Sequence, residues 1–320
     1  MCEEYILTLL QLQSVGKRTV SKILSYTNYI PTTIEGIREV FQKSKLYMKK
    51  LRIPENYEIY KAVEDAYLIQ KQCKEKDIKI ITTLNKDFPE KLKVIKDPPV
   101  LLFYKGNFEC IKEDRSIAVI GSRKPTEHGR KVAEKLGYIF GKEGFVIVTG
   151  LALGCDEYAH IGCLKVKGRN AAGLPCSLDN IYPKQNKKLA QEILNNDGCL
   201  ISEYSLGAEP FKGNFIERDR LQSALSKAVI VVETKKDGGT MHTANFAVEQ
   251  NKKLYCYVHP KQYLQNSQTQ GNRKLLLYKR AFPLRNEEDI EDIKRLIKDN
   301  TIQINRTDIL EKAEQISIQF

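Results

Sequence analysis

The chain has 320 residues, enough for two domains at about 100–200 residues each. Lys and Arg number 52 against 40 Asp and Glu, a net charge of +12; 42% of residues are hydrophobic and 29% charged, which excludes a wholly disordered chain. No apolar run approaches the roughly 18–20 residues that span a bilayer, so no membrane partner is expected. Glu3 and Glu4 precede the first apolar stretch, the reverse of a secretory signal, and predict a cytoplasmic protein. The eight cysteines are scattered, with no C-x-x-C pair, and predict free thiols with no metal and no cofactor.

Residues 1–75 read as a helical domain. The spacing of Ile6, Leu9, Leu10 and Leu12 predicts a helix with a buried face, and Val20, Ile23 and Leu24 a second. Between them Ser14-Val15-Gly16-Lys17 forms a helix–hairpin–helix pattern. Its backbone amides, with Lys17 and Arg18, suit a phosphate; a purely structural αα-hairpin would read the same way. A further helical stretch covers Asn56 to Lys76.

The pattern changes near residue 78. From 76 to 285, apolar β-branched runs alternate with helical segments. Strands are predicted at Ser116–Ile120, Phe145–Thr149, Asn170–Leu174, Cys199–Ser202, Ala228–Val232 and Leu254–Val258. Short, continuously apolar strands separated by helices predict an α/β fold: a doubly wound, mostly parallel sheet covered on both faces. Residues 286–320 read as a short tail with one helix, Glu288 to Lys298. The apolar runs Leu254–Val258 and Leu275–Tyr278 suggest more apolar surface than one sheet edge needs to cover.

Five segments carry anion-binding chemistry. Gly121-Ser122-Arg123-Lys124 follows a strand and opens a helix, although the second glycine of the dinucleotide fingerprint is missing. Thr149-Gly150-Leu151-Ala152 leads to Asp156, read as a helix cap. Tyr182, Lys184 and Asn186 combine a stacking ring with donors. Asn214, Arg218 and Arg220 form a basic loop before a helix at Leu221–Lys227. Gly238-Gly239-Thr240 offers another backbone cradle. On one sheet edge these make a long anion-lined groove without a convincing acid–base pair. A lone Cys155 near His160 lacks the orienting acid of a thiol nucleophile. Two alternatives remain: a nucleotide N-glycosidase-like enzyme using Gly238-Gly239-Thr240 with Glu249, or a nucleotide-messenger sensor.

The ordered segments Phe88-Pro89-Glu90-Lys91-Leu92, Ala118-Val119-Ile120-Gly121-Ser122-Arg123, Thr149-Gly150-Leu151-Ala152, Leu178-Asp179-Asn180-Ile181-Tyr182-Pro183 and Gly213-Asn214-Phe215 resemble the DprA/Smf family. The resemblance covers roughly residues 80–280. It implies an extended Rossmann-like domain over 76–285, a SAM-like N-terminal domain over 1–75, and a non-enzymatic, homodimeric protein. Its partners would be single-stranded DNA and the recombinase RecA, which it helps load. By the same resemblance, Gly121, Ser122, Arg123 and Lys124 match the phosphate-gripping turn, Tyr182 the aromatic of the DNA pocket, and Asn214, Arg218 and Arg220 a later basic loop. Leu153 and Asp219 depart from the family pattern, which has Arg and Asn there. The winged-helix tail of many members is absent or truncated.

Overall fold

Apolar side chains recurring at helical spacing build the first part of the chain. In the computed structural model, which describes residues 2–27, 29–278 and 280–298, they form α1 (Cys2–Gln11), α2 (Lys17–Tyr26), α3 (Ile34–Lys45) and α4 (Asn56–Glu75). Ile6, Leu9, Val20, Ile23, Val40, Phe41, Ile59 and Ala66 are buried between them. Helix α3 was not anticipated; Thr33 caps it by accepting a hydrogen bond from Gly36 N at 3.0 Å. The hairpin between α1 and α2 forms as expected, but its cations face carboxylates. Lys17 lies 3.7 Å from Glu203 and Arg18 lies 3.4 Å from Asp97. Strand β1 (Lys79–Thr82) pairs antiparallel with β2 (Leu101–Gly106), and α5 (Glu90–Lys93) sits in their connection. These elements form one compact unit, residues 1–105 with 177–180 and 202–208.

The second unit begins with α6 (Glu109–Lys112) and then alternates strand and helix: β3 (Ser116–Ile120), α7 (Glu127–Lys142), β4 (Val146–Thr149), α8 (Cys155–Leu164), β5 (Asn170–Gly173), α9 (Lys187–Asn195), β6 (Cys199–Ser202) and α10 (Lys212–Leu225). It continues through β7 (Ala228–Val231), α11 (Thr240–Glu249), β8 (Lys253–Tyr257), α12 (Gln270–Leu277), β9 (Phe282–Leu284) and α13 (Glu287–Lys298). The strands run parallel in the order β6-β5-β4-β3-β7-β8-β9. This is the expected doubly wound sheet, with a β3/β7 switch point where the order reverses.

Strand alternation supplies both cores. Ile117, Val119, Ala228 and Ile230 face α7, α8 and α13, with Phe140, Ala159 and Ile293 packed against them. Ala118, Ile120, Val229 and Val231 face the other way, onto Ala244 and Ala247 of α11 and Leu275 and Leu276 of α12. Helices α7 and α8 touch backbone to backbone: a Cβ on Gly137 would run into the Ala159 carbonyl oxygen.

Three readings change. Helix α10 starts at Lys212, so Arg218 and Arg220 are helical rather than in a basic loop. Strand β8 lies between β7 and β9, so its apolar residues are core and not surplus surface; Leu254 and Cys256 are fully buried. Leu276 also is core, whereas Leu277 and Tyr278 are exposed. The residues on which the reading of a truncated winged helix rests, 299–320, lie outside those described.

Candidate nucleic-acid interface

Strand β3 sends the chain to α7 on one face and β7 sends it to α11 on the other, which opens a crevice at the strand ends. A cavity of about 600 Å³ occupies it. The turn after β3 contributes Gly121, Ser122, Arg123 and Lys124; the segment after β7 contributes Thr234, Lys235, Gly238, Gly239 and Thr240. One stripe of α10, Lys212, Phe215, Asp219 and Gln222, falls at the i, i+3, i+7, i+10 spacing of a helix face and forms a wall.

Hydrogen bonds fix the lip. Ser122 N donates to the Glu233 carbonyl oxygen at 2.6 Å, and Ser122 Oγ donates to Gln268 Oε1 at 2.8 Å. Lys124 N donates to Ser122 Oγ at 3.1 Å. The Glu233 carboxylate, fully buried, accepts from Thr126 N at 2.7 Å and Thr126 Oγ1 at 2.8 Å, while Thr126 Oγ1 accepts from Gly129 N. Thr126, the N-cap of α7, and the Gly129 amide are therefore engaged by the protein's own groups, and Arg123 and Lys124 carry side-chain positive charge at this lip.

Gly154 has φ +85° and packs against Ser122 and Pro125, so the turn before α8 needs glycine for both conformation and space. Asp156 does not cap α8, which begins after Gly154. Its Oδ2 accepts from Gly150 N at 2.9 Å. On the cavity floor Arg218 donates from Nη1 to the Gly173 carbonyl oxygen at 2.8 Å, and its Nε lies 3.2 Å from Asp219 Oδ1. A side chain at Gly150 would collide with this guanidinium. Burial pushes both carboxyls upward against the attraction of Arg218: Asp156 in direction, Asp219 to about 6.

The rim is cationic. Arg123, Lys124, Lys212 and Lys235 are exposed and make no ion pair among the described residues. Arg123 lays its guanidinium over Phe215, 4.5 Å from the ring centroid. Tyr182 meets Phe215 edge-on at 5.7 Å. Tyr182 is thus reached from the cavity through Phe215.

The other expected site residues stand apart from the cavity lining. Lys184 is exposed on a 3₁₀ turn. Asn186 is buried and donates to the Leu151 carbonyl oxygen at 2.9 Å, holding the turn after β4. Asn214 donates to the Pro175 carbonyl oxygen at 3.1 Å. Arg220 is buried and donates to the Glu217 carbonyl oxygen at 2.6 Å. Sequence reasoning missed Lys212, Phe215 and Lys235 as site residues; starting α10 nine residues earlier would have shown the first two on one stripe. The pair suggested for a glycosidase does not assemble, since Glu249 ends α11 nine residues, about 13 Å, beyond Thr240 and is exposed. Cys155 is buried with its thiol pushed far up, and His160 is turned to Asn170 at 2.8 Å.

A family model described as DNA recombination-mediator protein A matches residues 79–294. The chain belongs to the DprA/Smf family. It is 38% identical to the Smf protein of Synechocystis over 184 residues, 57% of this chain and 46% of that protein, so it spans about half that relative's length. The crystal structure of DNA processing protein A from Streptococcus pneumoniae superposes with a TM-score of 0.74 at 26% identity, covering 91% of this chain and 97% of that one. A structure of the Helicobacter pylori protein, described for its single-stranded DNA binding mode, gives 0.61 at 32% identity over 69% of this chain and 96% of that one. No helix among the described residues is long and apolar enough to cross a membrane.

Proposed function

We propose that the switch-point cavity binds single-stranded DNA and that the chain is a DNA-processing protein that protects incoming strands and helps load the recombinase RecA during transformation or recombination. The observation that carries this reading is the rim: four exposed cations that make no ion pair among the described residues, beside Phe215, which Arg123 covers and Tyr182 meets edge-on. Cations take phosphates and aromatic rings take bases, and every base has a face to stack. The helix capable of entering a duplex groove is missing from this wall, because α10 is buried over Arg218 to Leu225. The relatives named for DNA processing and for single-stranded DNA binding support the same reading.

Lys184 extends the track beyond Tyr182, and self-association through the exposed Leu277 and Tyr278 would set two tracks in one particle. A DNA substrate of this kind places the work in the cytoplasm. Gel-shift titration of a thymidine oligonucleotide against a blunt duplex tests the reading. The single strand should bind far more tightly, and equal affinity for the duplex would refute it. Addition of RecA should give a ternary complex on the single strand, which its absence would contradict.

A further inference from the structure

Phe215 is not a free platform. Arg123 covers one face at 4.5 Å, and Tyr182 packs edge-on against it with the ring planes 70° apart. Its role in this arrangement is to hold the Arg123 guanidinium in place.

Phe211 is different. It is the N-cap residue of α10, in extended conformation, and its ring is 70% exposed. The hydrogen bond from Asn214 N to the Phe211 carbonyl oxygen at 2.9 Å fixes its backbone. Gly213 lies alongside the ring, close enough that a Cβ there would sit 3.6 Å from Cδ1 and Cε1. Lys212 is its chain neighbour on the cavity rim, and Phe215 follows one helical turn later. An exposed phenyl ring without a polar atom thus stands next in the chain to the rim cation Lys212, which makes no ion pair among the described residues.

We propose that Phe211 is the base-stacking platform of this site, taking a nucleobase of a single strand whose phosphates are held by Lys212 and Arg123. The inference rests on the DNA-binding reading and specifies which ring touches a base. A phenyl ring offers only its faces, so it does not discriminate among bases. Stacking carries no charge, so it contributes affinity without salt dependence.

The chain contains no tryptophan, so Phe211→Trp places a single reporter at the position. Its emission should be quenched by a thymidine oligonucleotide and left unchanged by an abasic oligonucleotide of equal length and charge. Phe211→Ala should weaken thymidine binding by roughly 5- to 150-fold with an unchanged salt slope, and Phe211→Trp should retain binding. The exposure of the ring means that all three proteins keep the fold, which circular dichroism verifies. Wild-type binding with an unaffected Phe211→Ala protein, or equal quenching by both oligonucleotides, overturns the stacking role alone. A wild type that binds neither oligonucleotide overturns the DNA-binding reading and the stacking role with it.

Discussion

Replacing Arg123 with alanine removes one of four rim cations, and its consequence can be stated as a slope. Each phosphate neutralised on a single strand contributes about −0.7 to the dependence of log K on log salt, so Arg123, Lys124, Lys212 and Lys235 together predict about −3. Between 50 and 200 mM salt that is about a 50-fold loss of affinity. The Arg123→Ala protein should show a slope near −2 and lose only about 20-fold over the same range. It also uncovers a face of Phe215, removing a cation–π contact of about 0.5–1 kcal/mol. Fluorescence anisotropy of a labelled thymidine oligonucleotide across the salt series measures both quantities. A lower affinity with an unchanged slope would mean that Arg123 only props the ring and touches no phosphate.

Asp219, with its carboxyl raised to about 6, should make binding tighten as pH falls from 7 to 5, because its ionised form repels phosphate in the same cavity; Asp219→Asn should bind a thymidine oligonucleotide more tightly at pH 7 and with a flatter pH profile. The same shift favours the unfolded chain as pH rises from about 4 to 6, by up to about 3 kcal/mol, so Asp219→Asn should also raise the denaturation midpoint at pH 7. Leu277→Asp should leave a folded protein and shift light-scattering mass from dimer to monomer, whereas Leu276→Asp should fail to fold because it places a charge in the core. Gly137→Leu pushes α7 off the Ala159 carbonyl and should lower stability by about 1–3 kcal/mol or more, read as a lower thermal midpoint.

The strands were legible because a sheet buried on both faces demands continuous apolar runs, and Ser116–Ile120 and Cys199–Ser202 were located to the residue. Helix α10 was not, for an opposite reason. Gly213 and Asn214 near its start read as turn residues, and its middle buries Arg218, Asp219 and Arg220, so polarity gave no amphipathic period. Asn186 looked like a ligand donor because lysines surround it, yet the Leu151 carbonyl oxygen uses its amide. Thr126, the N-cap of α7, is held by Glu233, 107 residues away, a pairing that only the β3–β7 adjacency creates. The turns Gly121–Lys124 and Gly238–Thr240 line the cavity because they follow β3 and β7, whose ends flank the switch point.

The central claim is that single-stranded DNA lies across the β3/β7 switch point. Hydrogen exchange of the full chain, with and without a saturating thymidine oligonucleotide, tests it directly. The account predicts added protection in peptides covering 121–125, 211–216 and 234–240, with α9 and α13 unchanged. Protection confined to residues 1–75, with none at the switch point, would contradict it.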